Sequence, residues 1–265
     1  MLGVEGNQID LRTLVGQRVL TSVKVGNLIV PSTSLTEHLR RYTSPAVFNS
    51  AGIEPQYAMS LSGSATLIKY SDRYFAFTTL HQLKHPQLQY DFDQFCLIGN
   101  RPHTLVTPQR IIYATGNDSE DFDCVLFEFT KTVKRGDLPS FEWYEITEEQ
   151  YSIKTPKPDF ALSIGYPGFR NYIDYETAHF GMSPNAIAGR EVEPSLKGRL
   201  SFAPREKLHF DPSGFSGAPV FGVKVEQANS RVFFAGIVTE AGKSQIHFIS
   251  FKRLTELLKK AFNND

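Results

Sequence analysis

The chain has 265 residues, and its 28 lysine and arginine residues equal its 28 aspartate and glutamate residues in number. With no net charge and no basic run interleaved with aromatic residues, the sequence gives no support for a nucleic-acid partner or for binding to an anionic membrane. Its composition, 41% hydrophobic and 21% charged, is typical of a globular protein that is long enough for one large or two small domains.

Processing signals, cysteines and metal motifs narrow the classes further. The N-terminal residues do not have the pattern of a secretion signal, and no stretch has the ~20 apolar residues of a membrane helix. Cys96 and Cys124 each lie in an apolar run, which favours buried free thiols over a disulfide. No Cys-x-x-Cys or His-Glu-x-x-His pattern is present. We predict a cytoplasmic protein that has no membrane partner and needs no metal or cofactor.

Short strand-like runs separated by glycine and proline dominate the chain after about residue 58. We assign residues 1–58, which contain the runs QRVLTSVKV and NLIV and the helical candidate LTEHLRRY, to an N-terminal extension that packs on the rest. A first series of predicted strands comprises 64–70, 73–79, 95–99, 110–116 and 123–129. A second series comprises 159–167, 197–203, 206–211, 219–227, 231–240 and 244–250. This spacing is typical of β-barrels or sandwiches rather than of a parallel α/β sheet.

A polar, proline-bearing passage separates the two series. We therefore divide a main domain, 59–265, into a first barrel (59–135), a connector (136–158), a second barrel (159–250) and a C-terminal helix (251–262). The helix is predicted from four apolar residues that share one face at helical spacing, namely Leu254, Leu257, Leu258 and Ala261.

One serine stands out in the stretch FDPSGFSGAPVFG, residues 210–222. Gly214 and Gly217 bracket Ser216, and Pro219 opens the next apolar run. Glycine, serine and proline are ordinary turn residues, so the stretch can be a plain turn. It can also expose a nucleophile, in which case the chain must supply a base and an acid that orients the base.

Among seven histidines, His81 alone directly follows an apolar strand, YFAFTTL, where a side chain can project into a cleft. For the acid, SEDFDCVLFEF offers Asp121 and Asp123. We choose Asp123 because it immediately precedes the apolar run and can be partly buried, whereas Asp121 is expected to lie in water.

The stretches TTLHQL, DCVLFEF and GFSGAPV occur in the order His, Asp, Ser. In this order and context the chain, over about residues 58–262, resembles the trypsin/chymotrypsin-like serine peptidases. The stretches SLSGSATLIKY, ALSIGYPG and AGIVTEAG resemble further motifs of that family. The resemblance implies an all-β fold of two six-stranded antiparallel barrels with a C-terminal helix, and a serine endopeptidase that forms an acyl-enzyme with a polypeptide substrate.

The resemblance also implies roles for individual residues. Ser216 would be the nucleophile, His81 the general base and acid, and Asp123 the group that orients His81. The backbone N–H groups of Gly214 and Ser216 would form the oxyanion hole. Phe215 precedes the serine and no Ile-Val-Gly-Gly start is present, so activation by a newly cleaved N-terminus is not expected. The missing disulfides make the chain resemble the bacterial HtrA-like branch, here without a following peptide-binding domain.

Substrate specificity and regulation stay open at the level of sequence. The resemblance places the specificity pocket at Phe210, Asp211, Thr239, Glu240, Ala241 and Gly242, with the Thr239 hydroxyl also supporting Asp123. A carboxylate at the pocket floor would select lysine or arginine, whereas the apolar residues would select a medium apolar side chain. The alternative function is a latent or inactive protease-fold protein that acts as a partner-regulated, peptide-binding module.

Overall fold

A computed structural model describes residues 22–49, 59–83, 94–101, 104–114, 122–147, 150, 157–176, 179–226 and 230–263. Asp121 lies outside these ranges. Strands dominate the described residues, which also include three α-helices. The strands are β1 (Ser22–Val25), β2 (Leu28–Pro31), β3 (Thr43–Asn49), β4 (Met59–Tyr70), β5 (Arg73–Thr78), β6 (Phe95–Ile98), β7 (Leu105–Val106), β8 (Arg110–Tyr113), β9 (Val125–Glu128), β10 (Tyr144–Ile146), β11 (Phe160–Gly165), β12 (Tyr172–Asp174), β13 (His179–Gly181), β14 (Asn185–Val192), β15 (Leu200–Pro204), β16 (Pro219–Lys224), β17 (Ser230–Ala241) and β18 (Ile246–Ser250). The helices are α1 (Leu35–Leu39), α2 (Thr130–Lys134) and α3 (Phe251–Asn263).

The C-terminal strands form a closed barrel. Its order is β16-β11-β14-β15-β18-β17, and β17 pairs back onto β16 to complete the ring. All six pairings are antiparallel. Inward-facing side chains such as Phe202, Val220 and Ile246 are fully buried, so the barrel is filled by its own side chains rather than hollow.

The N-terminal strands form the first sheet, in the order β7-β6-β3-β4-β5-β9-β8. Among the described residues this path does not close into a ring. Its core contains a row of phenylalanines, of which Phe95 and Phe127 stack with ring centroids 4.2 Å apart. A separate apolar cluster joins the two sheets, since it includes Phe77 of β5, Leu162 of β11 and Leu257 of α3.

The described part of the N-terminal extension contributes to both sheets. β1 runs parallel to β17 of the closed barrel, while β3 pairs with β4 and β6 of the first sheet. The strand pairing therefore places residues 43–49 within the first sheet, although the sequence analysis counted them with the extension. The predicted helix LTEHLRRY is present as α1 and a following 3-10 turn.

The connector also departs from its prediction as a polar linker. Trp143, Tyr144 and Ile146 are buried, and β10 pairs in parallel with β4. Because polar residues surround this short strand in the sequence, composition did not indicate that it contributes to the core.

One strand assignment in the second series was wrong, and one strand of the closed barrel was missed. Residues 206–211 form no strand. Their alternation reflects the partial burial of Leu208 and Phe210 on the barrel core without a pairing partner. Conversely, β14 was missed because its sequence contains Gly189, where an added Cβ would lie 2.0 Å from the Ala203 carbonyl oxygen. That glycine lets β15 approach closely and does not mark a turn.

Helix α3 confirms the predicted C-terminal helix. Leu254, Leu257, Leu258 and Ala261 are all buried on one face, as predicted from their spacing. Burial of each leucine contributes about 1.5–3 kcal/mol. Because α3 follows the closed barrel and also contacts β8 and β9, it fastens the first sheet to the second.

Candidate active site

A cleft of about 490 Å³ opens between the two sheets. Two of the residues that line it, His81 and Asp123, come from the first sheet, and the others come from the closed barrel. The full lining is His81, Asp123, Pro212, Ser213, Gly214, Ser216, Thr239, Glu240 and Ala241. The structure thus brings together residues that lie up to 160 positions apart (81 to 241) in the chain.

His81 lies in a 3-10 turn, Leu80–Leu83, directly after β5. The buried side chains of Leu80 and Leu83 anchor this turn, whereas the His81 side chain is 44% exposed. Its Nδ1 is 2.6 Å from Asp123 Oδ2, and its backbone N–H donates to Asp123 Oδ1 at 2.9 Å. Both carboxylate oxygens therefore hold one residue, which fixes the position of the turn as well as the direction of the ring.

The Asp123 carboxylate is in its ionised form at neutral pH. Burial acts to raise its pKa, but the hydrogen bonds from the His81 side chain and backbone and the positive charge of Arg199 outweigh burial, so the pKa lies below its ordinary value. An ionised carboxylate at 2.6 Å places a proton on Nδ1 and leaves Nε2 as the acceptor of the neutral ring.

Ser216 completes the predicted group of three. Its Oγ is 3.1 Å from His81 Nε2, within hydrogen-bond distance. The same hydroxyl can donate to the Thr239 carbonyl at 3.3 Å, and the Thr79 hydroxyl lies 3.4 Å from His81 Nε2. The Ser216 hydroxyl thus has a base on one side and the strand β17 on the other.

A hydrogen bond to Gly168 fixes the orientation of the peptide between Ser213 and Gly214. The Ser213 carbonyl accepts a hydrogen bond from the Gly168 N–H at 2.9 Å. Because C=O and N–H point in opposite directions across a trans peptide, the Gly214 N–H points away from Gly168. Gly214 has a φ of +97°, and an added Cβ would lie 2.4 Å from the Tyr166 carbonyl oxygen, so only glycine fits here.

The peptide between Phe215 and Ser216 is oriented in the same way. The Phe215 carbonyl accepts from the Ala218 N–H at 2.9 Å, which turns the Ser216 N–H to the other side. Within the described part of the chain, neither the Gly214 N–H nor the Ser216 N–H donates to an acceptor. Buried or half-buried N–H groups are rarely left unbonded, so this pair is suited to receive an oxygen atom from a ligand.

The residues assigned to the specificity pocket divide into two groups. Thr239, Glu240 and Ala241 line the cleft, whereas Phe210, Asp211 and Gly242 do not. Phe210 instead packs between Phe169 and Phe215, with ring centroids 5.6 and 6.2 Å away.

Two of the roles assigned to these residues need correction. Asp211 Oδ1 accepts hydrogen bonds from the N–H and the hydroxyl of Ser213, at 3.0 and 2.8 Å, and these bonds lower the pKa of the exposed carboxyl. Asp211 therefore shapes its own turn and forms no pocket floor. The Thr239 hydroxyl donates to the His247 carbonyl at 3.4 Å and not to Asp123, so it gives the acid no direct support.

Sequence reasoning missed two polar residues behind the cleft, Ser64 and Gln82. Both contact the loop that carries Ser216. Gln82 is adjacent to His81 in the chain, which is a signal, but its partner lies 134 residues away.

The structure offers few ligands for a metal. Across the described ranges no group of three or more histidine, cysteine, aspartate or glutamate side chains could hold an ion. Both cysteines are free and buried, as predicted, and burial raises the pKa of the Cys96 thiol to about 11.

Comparison with known proteins rests on structure, because no protein-family model and no curated protein matches the sequence. Human heparin binding protein matches with a TM-score of 0.55 and 10% identity, over 86% of this chain and 94% of that one. A thermostable serine protease, AL20, from an extremophilic microorganism matches with a TM-score of 0.54 and 12% identity, over 84% of this chain and 98% of that one. The chain has the chymotrypsin-like fold.

These likenesses establish the chymotrypsin-like fold and leave the activity to be argued from the cleft. One neighbour is named for protease activity and the other for heparin binding. The described helices, including α3, are all too short or too polar for a membrane span.

Proposed function

We propose that this protein is a serine endopeptidase that hydrolyses peptide bonds through Ser216, His81 and Asp123. The observation that carries the proposal is one continuous arrangement: Ser216 Oγ lies 3.1 Å from His81 Nε2, and His81 Nδ1 lies 2.6 Å from Asp123. The unbonded N–H groups of Gly214 and Ser216 support it, because acyl transfer needs donors for the developing oxyanion.

The first half of the reaction forms an acyl-enzyme. Ser216 Oγ attacks the carbonyl carbon of the scissile bond while its proton passes to His81 Nε2. The carbonyl oxygen becomes an oxyanion that accepts hydrogen bonds from Gly214 and Ser216. His81 then gives the proton to the leaving nitrogen, the C–N bond breaks, and the acyl group remains on Ser216 as an ester.

The second half restores the enzyme. A water molecule gives a proton to His81 Nε2 and attacks the ester carbonyl, and the same two N–H groups stabilise the second oxyanion. The C–O bond to Ser216 breaks and Oγ takes the proton back from His81. Throughout, ionised Asp123 keeps the proton on Nδ1 and stabilises the imidazolium that forms in each half.

A polypeptide substrate suits the edge of β17. On the edge of β17 that faces β16, Ile237 pairs with Pro219, and the backbone of Val238 bonds that of Gly217 and Ala218. Beyond Val238, the described residues of this edge have no strand partner. Thr239–Ala241 continue this edge along the cleft. An extended peptide can add to such an edge by main-chain hydrogen bonds, which would place its carbonyl group at Ser216.

The arrangement of the Ser216 loop favours an active enzyme over the partner-regulated, peptide-binding alternative. The Ser213 carbonyl is already bonded to Gly168, so the Gly214 N–H points away from Gly168 and can receive an oxyanion without rotation of this peptide. The placement in the bacterial HtrA-like branch, the cytoplasmic location and the independence of cofactors remain predictions from the sequence.

Replacement of the nucleophile tests the proposal. Ser216→Ala removes the attacking oxygen and should reduce turnover of a peptide or activated ester by about 10⁶. His81→Ala should cost about as much, and the double variant little more, because the residues act as a unit. Hydrolysis by Ser216→Ala at the wild-type rate would refute the proposal.

A further inference from the structure

The loop that carries Ser216 is fastened to the first sheet by two side chains for which the reaction has no direct use. Ser64 lies in β4, and Gln82 follows His81 in the 3-10 turn after β5. Each of them binds a carbonyl oxygen of a residue whose N–H faces the cleft.

Ser64 holds the Gly214 carbonyl. The residue is fully buried, and its hydroxyl donates to Gly214 O at 2.7 Å while accepting from the Tyr166 N–H at 2.9 Å. Since a hydroxyl has a single hydrogen, the bond from Tyr166 leaves that hydrogen directed at Gly214. Glycine at a φ of +97° has wide conformational freedom, and this bond restricts the rotation of the peptide that follows it.

Gln82 holds the Ser216 carbonyl. Its Nε2 donates to Ser216 O at 2.6 Å, and this carbonyl acceptor sets the orientation of the amide. Its Oε1 contacts the Thr78 hydroxyl, which also donates to the Ser64 carbonyl at 2.8 Å. The neighbouring residue leaves room for this side chain, because a Cβ on Gly63 would lie 2.0 Å from Gln82 Nε2. The backbone N–H of Ser64 donates to the same Ser216 oxygen at 2.9 Å.

The two hydrogen bonds hold carbonyl groups that come before and after the Ser216 N–H along the chain, those of Gly214 and Ser216. The Gly214 and Ser216 carbonyls are both held from the first sheet, and His81, which is adjacent to Gln82, comes from that sheet as well. We propose that Ser64 and Gln82 are positioning residues that set the direction of the Gly214 and Ser216 N–H groups relative to His81. This inference rests on the proposed function, since it assigns these residues to the oxyanion hole of that same site.

A matched set of variants separates positioning from general stability. Ser64→Ala and Gln82→Met remove the two donors with little change of shape. Thr66→Val is the control, because the equally buried Thr66 hydroxyl donates at 2.7 Å to the carbonyl of Gly217, a residue of the same loop that supplies neither of the two N–H groups. Ser64→Ala and Gln82→Met each remove two hydrogen bonds and Thr66→Val removes one, so the free energy of unfolding is measured for each variant and rates are compared per folded molecule.

The measured quantity is the rate at which a fluorophosphonate labels Ser216. In this reaction the phosphoryl oxygen of the reagent accepts hydrogen bonds from the Gly214 and Ser216 N–H groups. We expect Ser64→Ala and Gln82→Met to label at least about 10-fold more slowly than wild type, which is less than the 10²–10³ expected when a donor is lost outright. Thr66→Val should label within about 2-fold of wild type. With p-nitrophenyl acetate, the loss should fall on kcat and leave KM unchanged.

Failure of the inference and failure of the proposed function give different results. If wild type is labelled at Ser216 and all three variants label alike, the positioning role is refuted and the proposed function stands. If wild type is not labelled, the proposed function fails. The positions of the Gly214 and Ser216 amide resonances then decide the inference: shifts in Ser64→Ala and Gln82→Met that Thr66→Val lacks support it, and unchanged resonances overturn it.

Discussion

Two carboxylates at opposite ends of β9 are used in different ways. Asp123, two residues before the strand, holds His81 in the cleft, whereas Glu128, its last residue, binds Arg73 and Arg110 behind the first sheet. Burial acts to raise the pKa of each, and each pKa is nevertheless lowered by the hydrogen bonds and positive charges of its partners. A lowered pKa therefore does not by itself mark a functional site.

The partner distinguishes the two sites. Asp123 faces an imidazole that can gain and lose a proton beside a hydroxyl, while Glu128 faces guanidinium groups that keep their charge at every ordinary pH. The Arg73 and Arg110 side chains also donate to the Ala261 carbonyl near the end of α3, so the Glu128 site joins the helix to the first sheet. One carboxylate serves proton transfer and the other serves assembly of the fold.

Among substitutions that compare the two carboxylates, Asp123→Asn should have the largest effect. The amide favours the wrong tautomer of His81, so kcat for an activated ester should fall by about 10⁴, with a much smaller effect on the unfolding midpoint. Steady-state kinetics and denaturant unfolding of the same preparation measure both quantities. A variant with full activity would show that Asp123 does not orient the base.

Glu128→Gln should show the reverse pattern. Its removal leaves the charges of Arg73 and Arg110 uncompensated in a site where the glutamate side chain is only 3% exposed, so the free energy of unfolding should fall by about 3 kcal/mol. The activity per folded molecule should be retained. The matched control is Glu145→Gln, which breaks an exposed pair with Lys69 and should cost less than about 1 kcal/mol.

At low pH, the difference in the free energy of unfolding between wild type and Glu128→Gln should disappear. The pKa of Glu128 is lower in the folded protein than in the unfolded chain, so as the pH falls the unfolded chain is protonated first. The stabilisation by ionised Glu128 is therefore complete above the unfolded pKa of about 4.3, and it is lost as the pH falls through the pKa of the folded protein. Urea unfolding at pH 7 and pH 3 would measure it. A difference that stays constant between those two values would contradict this account of Glu128.

The smallest effect is expected for Asp211→Asn. An asparagine oxygen can still accept the hydrogen bonds from Ser213, and the carboxyl lies outside the cleft, so the rate and the residue preference should both stay unchanged. Cleavage of a peptide library by wild type, Asp211→Asn and Glu240→Gln tests this expectation. A preference for lysine or arginine that disappears in Asp211→Asn alone would restore that carboxylate to the pocket.

The sequence was informative where a function depends on local context. Gly214 and Gly217 bracket Ser216 because the backbone there needs positive φ, and Asp123 precedes an apolar run because its strand is buried. Such constraints act over a few residues, and the letters alone display them.

Long-range partners were beyond the reach of the sequence. Glu128 lies inside the apolar run DCVLFEF and gave no sign of Arg73, and Ser64 meets Gly214 across 150 positions. β3 and β10 were assigned by composition to an extension and a connector. Their strand pairing with β4, which composition does not reveal, makes them part of the first sheet. The specificity residues were predicted from the resemblance to the family. That resemblance could not show that Asp211 bonds Ser213 in its own turn and so lies outside the cleft.

The most direct measurement is the labelling of the purified protein with a fluorophosphonate, followed by identification of the modified residue by mass spectrometry. We predict a single adduct on Ser216, formed rapidly in wild type, at least about 10³-fold more slowly in Asp123→Asn, and at the wild-type rate in folded Glu128→Gln. An unlabelled wild type, or an adduct on another residue, would contradict the central claim that this cleft is a working serine peptidase site.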